Sequence, residues 1–233
     1  MEILFKNARL LSDAGETPFG ELSTAGSTIA YVGKKAPQRP YDRIIDCQGD
    51  LLIPGFKNAH THSAMVFARS FSDDLPLHEW LFDKIFPLEA KLRKEDQYYL
   101  SKVAILEYLT SGITSCFDMY YSPSEMARAS IDMGFRSVLL GTVTKYRESV
   151  KEMEEAYRTI NGSNPLVSYC LGFHAEYTAS EDILKELAKA AHELHCPIYA
   201  HSSETAAEVK ECQARHQGLT PTEYMESLGL FDY

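Results

Sequence analysis

The chain has 233 residues, 45% hydrophobic and 24% charged, with a formal net charge of −10 when histidine is neutral. That balance suits a globular protein with a sizeable core, and without any basic run it argues against nucleic acid or an anionic membrane surface as partner. No apolar stretch approaches the roughly 20 residues of a membrane span, "MEILFKNARLL" has no cleaved-leader pattern, and five cysteines without a CxxC predict a reducing, cytoplasmic setting rather than a thiolate zinc site.

In chain order, residues 1–55 read as short β-like runs, "EILFKNARLL", "STIAYVG", "RIIDCQG" and "DLLIPG", separated by Gly, Ser, Pro and Asp turns. We expect an N-terminal β-rich segment of a composite β-sandwich domain. From residue 56 to 233 the pattern becomes strand–helix alternation. Strand candidates are "LLIPGFKNAH", "ITSCFDMY", "RSVLLGTV", "LVSYCLGFHA" and "CPIYAHSS". Helical stretches lie between them. Residues 94–112 show an amphipathic pattern through Leu100, Val103, Ala104, Leu106 and Leu109, ending at Gly112. Residues 123–134 begin Pro-Ser and stop at Gly134, and residues 180–195 open with a Ser cap followed by acids. The acid-rich "KEMEE" (151–155) reads as a solvated helix face.

Repeated β-α-β units with apolar strands imply a parallel sheet flanked by helices, either doubly wound or a (β/α)8-type TIM barrel. No GxGxxG follows the first strand, which weakens the dinucleotide version. The barrel is favoured because polar residues recur at successive strand ends: His60 and His62, Asp118, His174, His201. The C-terminal ends of the strands carry the chemistry in such barrels. At about 31 residues per unit, residues 56–233 suffice for five or six units, so the barrel is expected to be incomplete, with about five β/α units. An unclosed sheet exposes a strand edge, which favours association, including into homo-oligomers.

On a strand, residues i and i+2 point the same way, so His60 and His62 face one cavity. Their spacing suits two ligands of one cation such as Zn or Fe(II). His201, in "YAHSSET", ends another apolar run and adds a third imidazole at the same rim. Glu204 follows three residues later, where a carboxylate can relay protons for an activated water. His174, one strand earlier, can reach a substrate or the metal. His78, His192, His195 and His216 sit among polar neighbours or on an amphipathic helix and read as surface residues.

The stretches "DCQGDLLIPGFKNAHTH", "SDDLPLHEWLFDKIFPLEAKL", "GFHAEYTAS" and "YAHSSETAAEV" resemble the amidohydrolase superfamily. Within it they are similar to the branch of methylthioadenosine/S-adenosylhomocysteine deaminases and chlorotriazine hydrolases, over nearly the whole chain. The resemblance implies a metal-dependent hydrolase barrel at 56–233 in which His60, His62 and His201 bind one divalent ion, Zn before Fe. It implies a small heterocyclic substrate such as an adenine nucleoside, with Glu204 as proton relay. His174 would contact the substrate, Glu89 would take ribose hydroxyls, and Trp80 would wall the pocket. Members of the family present a further His and an Asp ligand after later strands, beyond Tyr233. The branch's deaminases also place arginines after the third strand, where Lys145 and Arg147 stand out of register and read as solvated loop charges. A chlorohydrolase or amide hydrolase of the same superfamily, or an inactive fragment, are the alternatives.

Overall fold

A computed structural model describes residues 1–12, 15–16 and 18–232. The chain divides into two units, Met1–Gly55 and Phe56–Tyr233. In the first, β1 (Glu2–Leu10) is central. It runs antiparallel to β2 (Phe19–Ala25), which pairs with β3 (Thr28–Gly33). On its other side β1 pairs in parallel with β4 (Arg43–Asp46) and, further along, β5 (Leu51–Leu52). The register shifts between Phe5 and Ala8, around the left-handed Asn7, whose amide side chain donates to Asp46 Oδ1 at 3.0 Å. β2 has no counterpart among the predicted runs, because "FGELSTA" carries too few branched residues to stand out.

The second unit holds five parallel strands in the order β10-β9-β8-β7-β6. They are β6 (Phe56–Thr61), β7 (Ile113–Met119), β8 (Arg136–Leu140), β9 (Val167–Ala175) and β10 (Ile198–His201). Sequential strands are neighbours throughout, with helices between them, as a partial (β/α)8-type barrel requires. The expected continuous strand "LLIPGFKNAH" is interrupted. β5 ends at Leu52 and β6 begins at Phe56, because Pro54-Gly55 breaks the ladder.

After β6 come a 3-10 turn (Ser63–Ala68) and then three short helical pieces: α1 (Leu77–Glu79), a π-helical turn (Trp80–Ile85) and α2 (Phe86–Glu89). Pro87 cannot donate a backbone hydrogen bond, and the widened turn directly before it accommodates that loss. Then follow α3 (Lys94–Thr110), α4 (Pro123–Met133), α5 (Val150–Ile160), α6 (Glu181–Leu194), α7 (Ala206–Arg215) and α8 (Pro221–Ser227). The cap signals of α6 perform as read. Ser180 Oγ accepts from Ile183 N, Leu184, Leu187, Ala190 and Ala191 are buried, and left-handed His195 stops the helix.

The face of α3 differs from expectation. Val103, Leu106 and Leu109 are exposed, while Gln97, Ser101, Ala104 and Ile105 are buried. Small and polar side chains let the helix lie close to α4, and Tyr108 of the inward side reaches the strand end at Thr61.

The core lies between the sheet and its helices, around Leu139, Tyr169, Leu171, Phe173, Leu184 and Leu187. Where β8 and its continuation pass β9, two glycines face each other. A Cβ on Gly172 would sit 2.5 Å from Gly141 O and 3.0 Å from Tyr199 O, both backbone atoms. Gly172→Ala is therefore expected to force β8, β9 and β10 apart and cost about 1–3 kcal/mol, read as a lower urea midpoint. An unchanged midpoint would show the strands to be looser than this.

Neighbouring strands lie about 4.8 Å apart, so in a flat sheet β6 and β10 would be separated by about 19 Å. Instead the sheet curls, and imidazoles from these two outermost strands meet at the C-terminal rim. This curvature makes the site.

Candidate metal centre and substrate cleft

His60 and His62 stand at the end of β6 and just after it, and His201 ends β10. Their ring centroids form a near-equilateral triangle of 5.3, 5.0 and 5.2 Å. His201 Nε2 lies 3.2 Å from His60 Nε2. One nitrogen from each of the three falls within 4.8 Å of the others.

The far nitrogens of two rings are fixed. His62 Nδ1 is 2.7 Å from Met119 O, and His201 Nδ1 is 2.9 Å from His174 O. A carbonyl oxygen only accepts, so both Nδ1 atoms carry the proton, and both Nε2 atoms present lone pairs. His201 Nε2 can accept a hydrogen bond from His60 Nε2–H at 3.2 Å, and a divalent ion would take the place of that proton between the rings. A tetrahedral zinc with nitrogens at about 2.0–2.1 Å spaces its ligands about 3.3 Å apart, close to the observed Nε2–Nε2 distance. The donor set fits a divalent cation, and the three histidines could hold one.

The rim is braced from behind. Tyr108 Oη is 2.6 Å from Thr61 Oγ1 and 2.9 Å from Ser63 Oγ, gripping the residues on both sides of His62. Asp118, 3% exposed, accepts from Ser63 N at 3.0 Å, and burial raises its carboxyl to about 6. Its place is that of a hydrogen-bonding residue under the rim.

Beside the imidazoles opens a cleft. His62, His174, His201 and Glu204 lie along it, with Trp80, Phe86, Glu89, Tyr120 and Tyr121 as further walls. Every candidate site residue thus lines this cleft except His60, which stands at the exposed edge of the imidazole triangle. The Glu204 carboxylate makes no hydrogen bond or ion pair within the described chain. Thr178 Oγ1 gives its proton to Ala175 O at 2.9 Å, so at 3.3 Å it accepts from His174 Nδ1. The Nε2 of His174 is left as an acceptor.

Glu89 is 5% exposed, not a solvated helix residue. Burial raises its pKa, opposed by the Tyr120 hydroxyl, which donates to Oε1 at 2.8 Å, and by the charge of Arg147. Lys145 is exposed as expected, but Arg147 corrects the reading of it as a solvated charge. It is half-buried, its guanidinium lies 4.5 Å from the Tyr121 ring centroid, and it lines a second cavity that shares Phe86, Tyr121 and His174 with the first. Tyr120 and Tyr121 follow Met119 directly and carried no distinguishing motif. His216 is likewise no surface residue: it stacks on Tyr224 at 3.5 Å between centroids, and its Nε2 lies 2.9 Å from Glu176 Oε1.

Burial first, then neighbouring imidazoles, lowers His174 to about 4 from 6.5. His62 falls to about 4 also, chiefly by burial and against the Met119 hydrogen bond. Between these values the unfolded chain binds protons that the folded chain refuses, so each imidazole removes stability as pH falls from 6.5 towards 4. Asp118 acts oppositely, because its folded pKa is raised and protonation favours the fold between about 6 and 3.8. Metal-free His174→Asn is therefore expected to lose less stability than the parent from pH about 7 to about 5. Equal losses in urea titrations at the two pH values would refute that assignment.

A parallel β/α sheet with imidazoles on its C-terminal rim places the molecule among barrel-type α/β proteins. The chain belongs to the amidohydrolase family, whose model matches residues 51–233. It is 36% identical over 242 residues to a 5-methylthioadenosine/S-adenosylhomocysteine deaminase of Thermoanaerobacter pseudethanolicus, covering 100% of this chain and 56% of that protein. The protein of the same name from Syntrophomonas wolfei is 40% identical over 240 residues, with 99% and 56% covered. Among solved structures, an adenosine deaminase from Xanthomonas campestris with bound zinc superposes with a TM-score of 0.87 at 26% identity, covering 98% of this chain and 55% of that one. The chain thus spans about half the length of the curated relatives it matches.

Proposed function

We propose that this chain forms part of the active site of a hydrolytic deaminase acting on an amino-substituted heterocycle, an adenine nucleoside of the methylthioadenosine or S-adenosylhomocysteine kind. The observation that carries the reading is the convergence of the His60, His62 and His201 nitrogens at the edge of a cleft that His62, His201 and Glu204 line. The names of the relatives supply the substrate class.

His60, His62 and His201 would hold the ion, zinc in the first instance. A divalent cation supplies a Lewis acid that makes water nucleophilic at neutral pH. Glu204 takes one proton of the attacking water and passes it to the ring nitrogen beside the amine-bearing carbon, and the water's second proton moves from the new hydroxyl to the amine, which leaves as ammonia as the carbonyl forms. His174, kept neutral, accepts an N–H from the exocyclic amine through Nε2 and adds no charge. Glu89 takes vicinal ribose hydroxyls, Trp80 and Phe86 flank the flat ring, and Arg147 stands where a sulfur-linked substituent extends into the second cavity.

Five unpaired cysteines support placing this chemistry in the cytoplasm. No helix among the described residues is long and apolar enough to cross a membrane.

Ammonia release across methylthioadenosine, S-adenosylhomocysteine, adenosine, guanine and a chlorotriazine tests the proposal. Release from the first two with rates falling for the others is expected. Chloride release from the triazine, with no ammonia from any nucleoside, would replace deamination by dehalogenation.

A further inference from the structure

Glu208 is 5% exposed, at the third position of α7. Its backbone N–H donates to Oγ1 of the cap residue Thr205 at 3.1 Å. In an ordinary capping box the returning carboxylate takes the N–H of the cap residue itself. Here the carboxylate reaches further back. Oε1 accepts from Ser203 N at 3.1 Å, and Oε2 accepts from Glu204 N at 2.7 Å.

The segment gripped in this way is the link between His201 and Glu204. Ser203 is left-handed, with φ 57°, a conformation that residues with a side chain disfavour. At the near end the link is held by the bond from His201 Nδ1 to His174 O. Towards Glu204 the carboxylate of Glu208 binds the backbone, while the Glu204 side chain has no hydrogen bond of its own among the described residues. A charged acceptor on two consecutive amides at a helix N-terminus is a strong local restraint.

We propose that Glu208 is a positioning residue: by binding the amides of Ser203 and Glu204 it keeps the left-handed turn that presents the Glu204 carboxylate to the cleft. This rests on the reading of Glu204 as proton relay.

The test compares Glu208→Ala, the near-isosteric Glu208→Gln and Thr205→Ala in the full chain. It follows amide hydrogen exchange at Ser203 and Glu204, bound metal, and kcat and KM for nucleoside deamination. Glu208→Ala is expected to speed exchange at both amides about 10-fold or more and lower kcat about 10- to 100-fold, with KM and metal content nearly unchanged. Glu208→Gln keeps one acceptor but turns an NH2 towards the other amide, and falls between. Thr205→Ala loses the helix cap but keeps both amide bonds, so it melts earlier while kcat stays within about twofold. Unchanged exchange in Glu208→Ala overturns the proposal, as does faster exchange with kcat intact. If the parent releases no ammonia from any nucleoside, the reading of Glu204 fails, and the grip of Glu208 on the turn is decided by exchange alone.

Discussion

His62→Ala is expected to weaken divalent-metal binding by about 100-fold or more, since loss of even an outer partner of a metal ligand costs about 10- to 100-fold. Three features make His62 the most sensitive of the three imidazoles. Its Nδ1–H is held by Met119 O at 2.7 Å, so the metal-facing nitrogen is prepared before an ion arrives. Burial keeps it neutral down to about 4, so no proton competes at neutral pH. Its neighbours Thr61 and Ser63 are both tied to Tyr108. His60 stands at the exposed edge strand with a freer ring, and His60→Ala should weaken binding less than His62→Ala. Titration of zinc against a competing chelator checks the order, and equal affinity in parent and His62→Ala would remove His62 from the site.

Glu204→Gln is expected to lower kcat by about 10²- to 10⁴-fold with bound metal and KM nearly unchanged, the range for loss of a general acid–base group. The amide fills the same volume but cannot take up the proton released by the attacking water. Among the described residues no hydrogen bond or ion pair holds the Glu204 side chain, so the change should leave the melting temperature where it was. Steady-state ammonia release with metal analysis on the same sample separates the alternatives. A variant without metal would make Glu204 a structural support, and full activity would assign proton transfer to another group.

Much of this site was legible because period-two geometry is strict. Two histidines separated by one residue at the end of an apolar run had to share a face, and a third at another strand end had to share the rim. The caps of α6 were legible for the same kind of reason, since Ser180 and the acids after it serve the local backbone. Burial of helices against each other was not. On α3 the apolar residues Val103, Leu106 and Leu109 face outward, because approach to α4 and the reach of Tyr108 to Thr61 select the other side. Arg147 looked like a loop charge until the fold set it on Tyr121. His216 gave no hint of Glu176, 40 residues earlier. Glu208 was hidden differently, since an acid in a helix's first turn is ordinary, and only its reach past the cap distinguishes it.

X-ray absorption at the zinc edge of the metal-loaded protein tests the central claim most directly. The geometry predicts one ion per chain with a shell of imidazole nitrogens at about 2.0–2.1 Å and the multiple scattering of histidine rings, all lost in His62→Ala. A sulfur shell at about 2.3 Å would place the ion instead at the Glu176, Cys212 and His216 cluster, the other group of metal-binding side chains among the described residues, and would contradict the account.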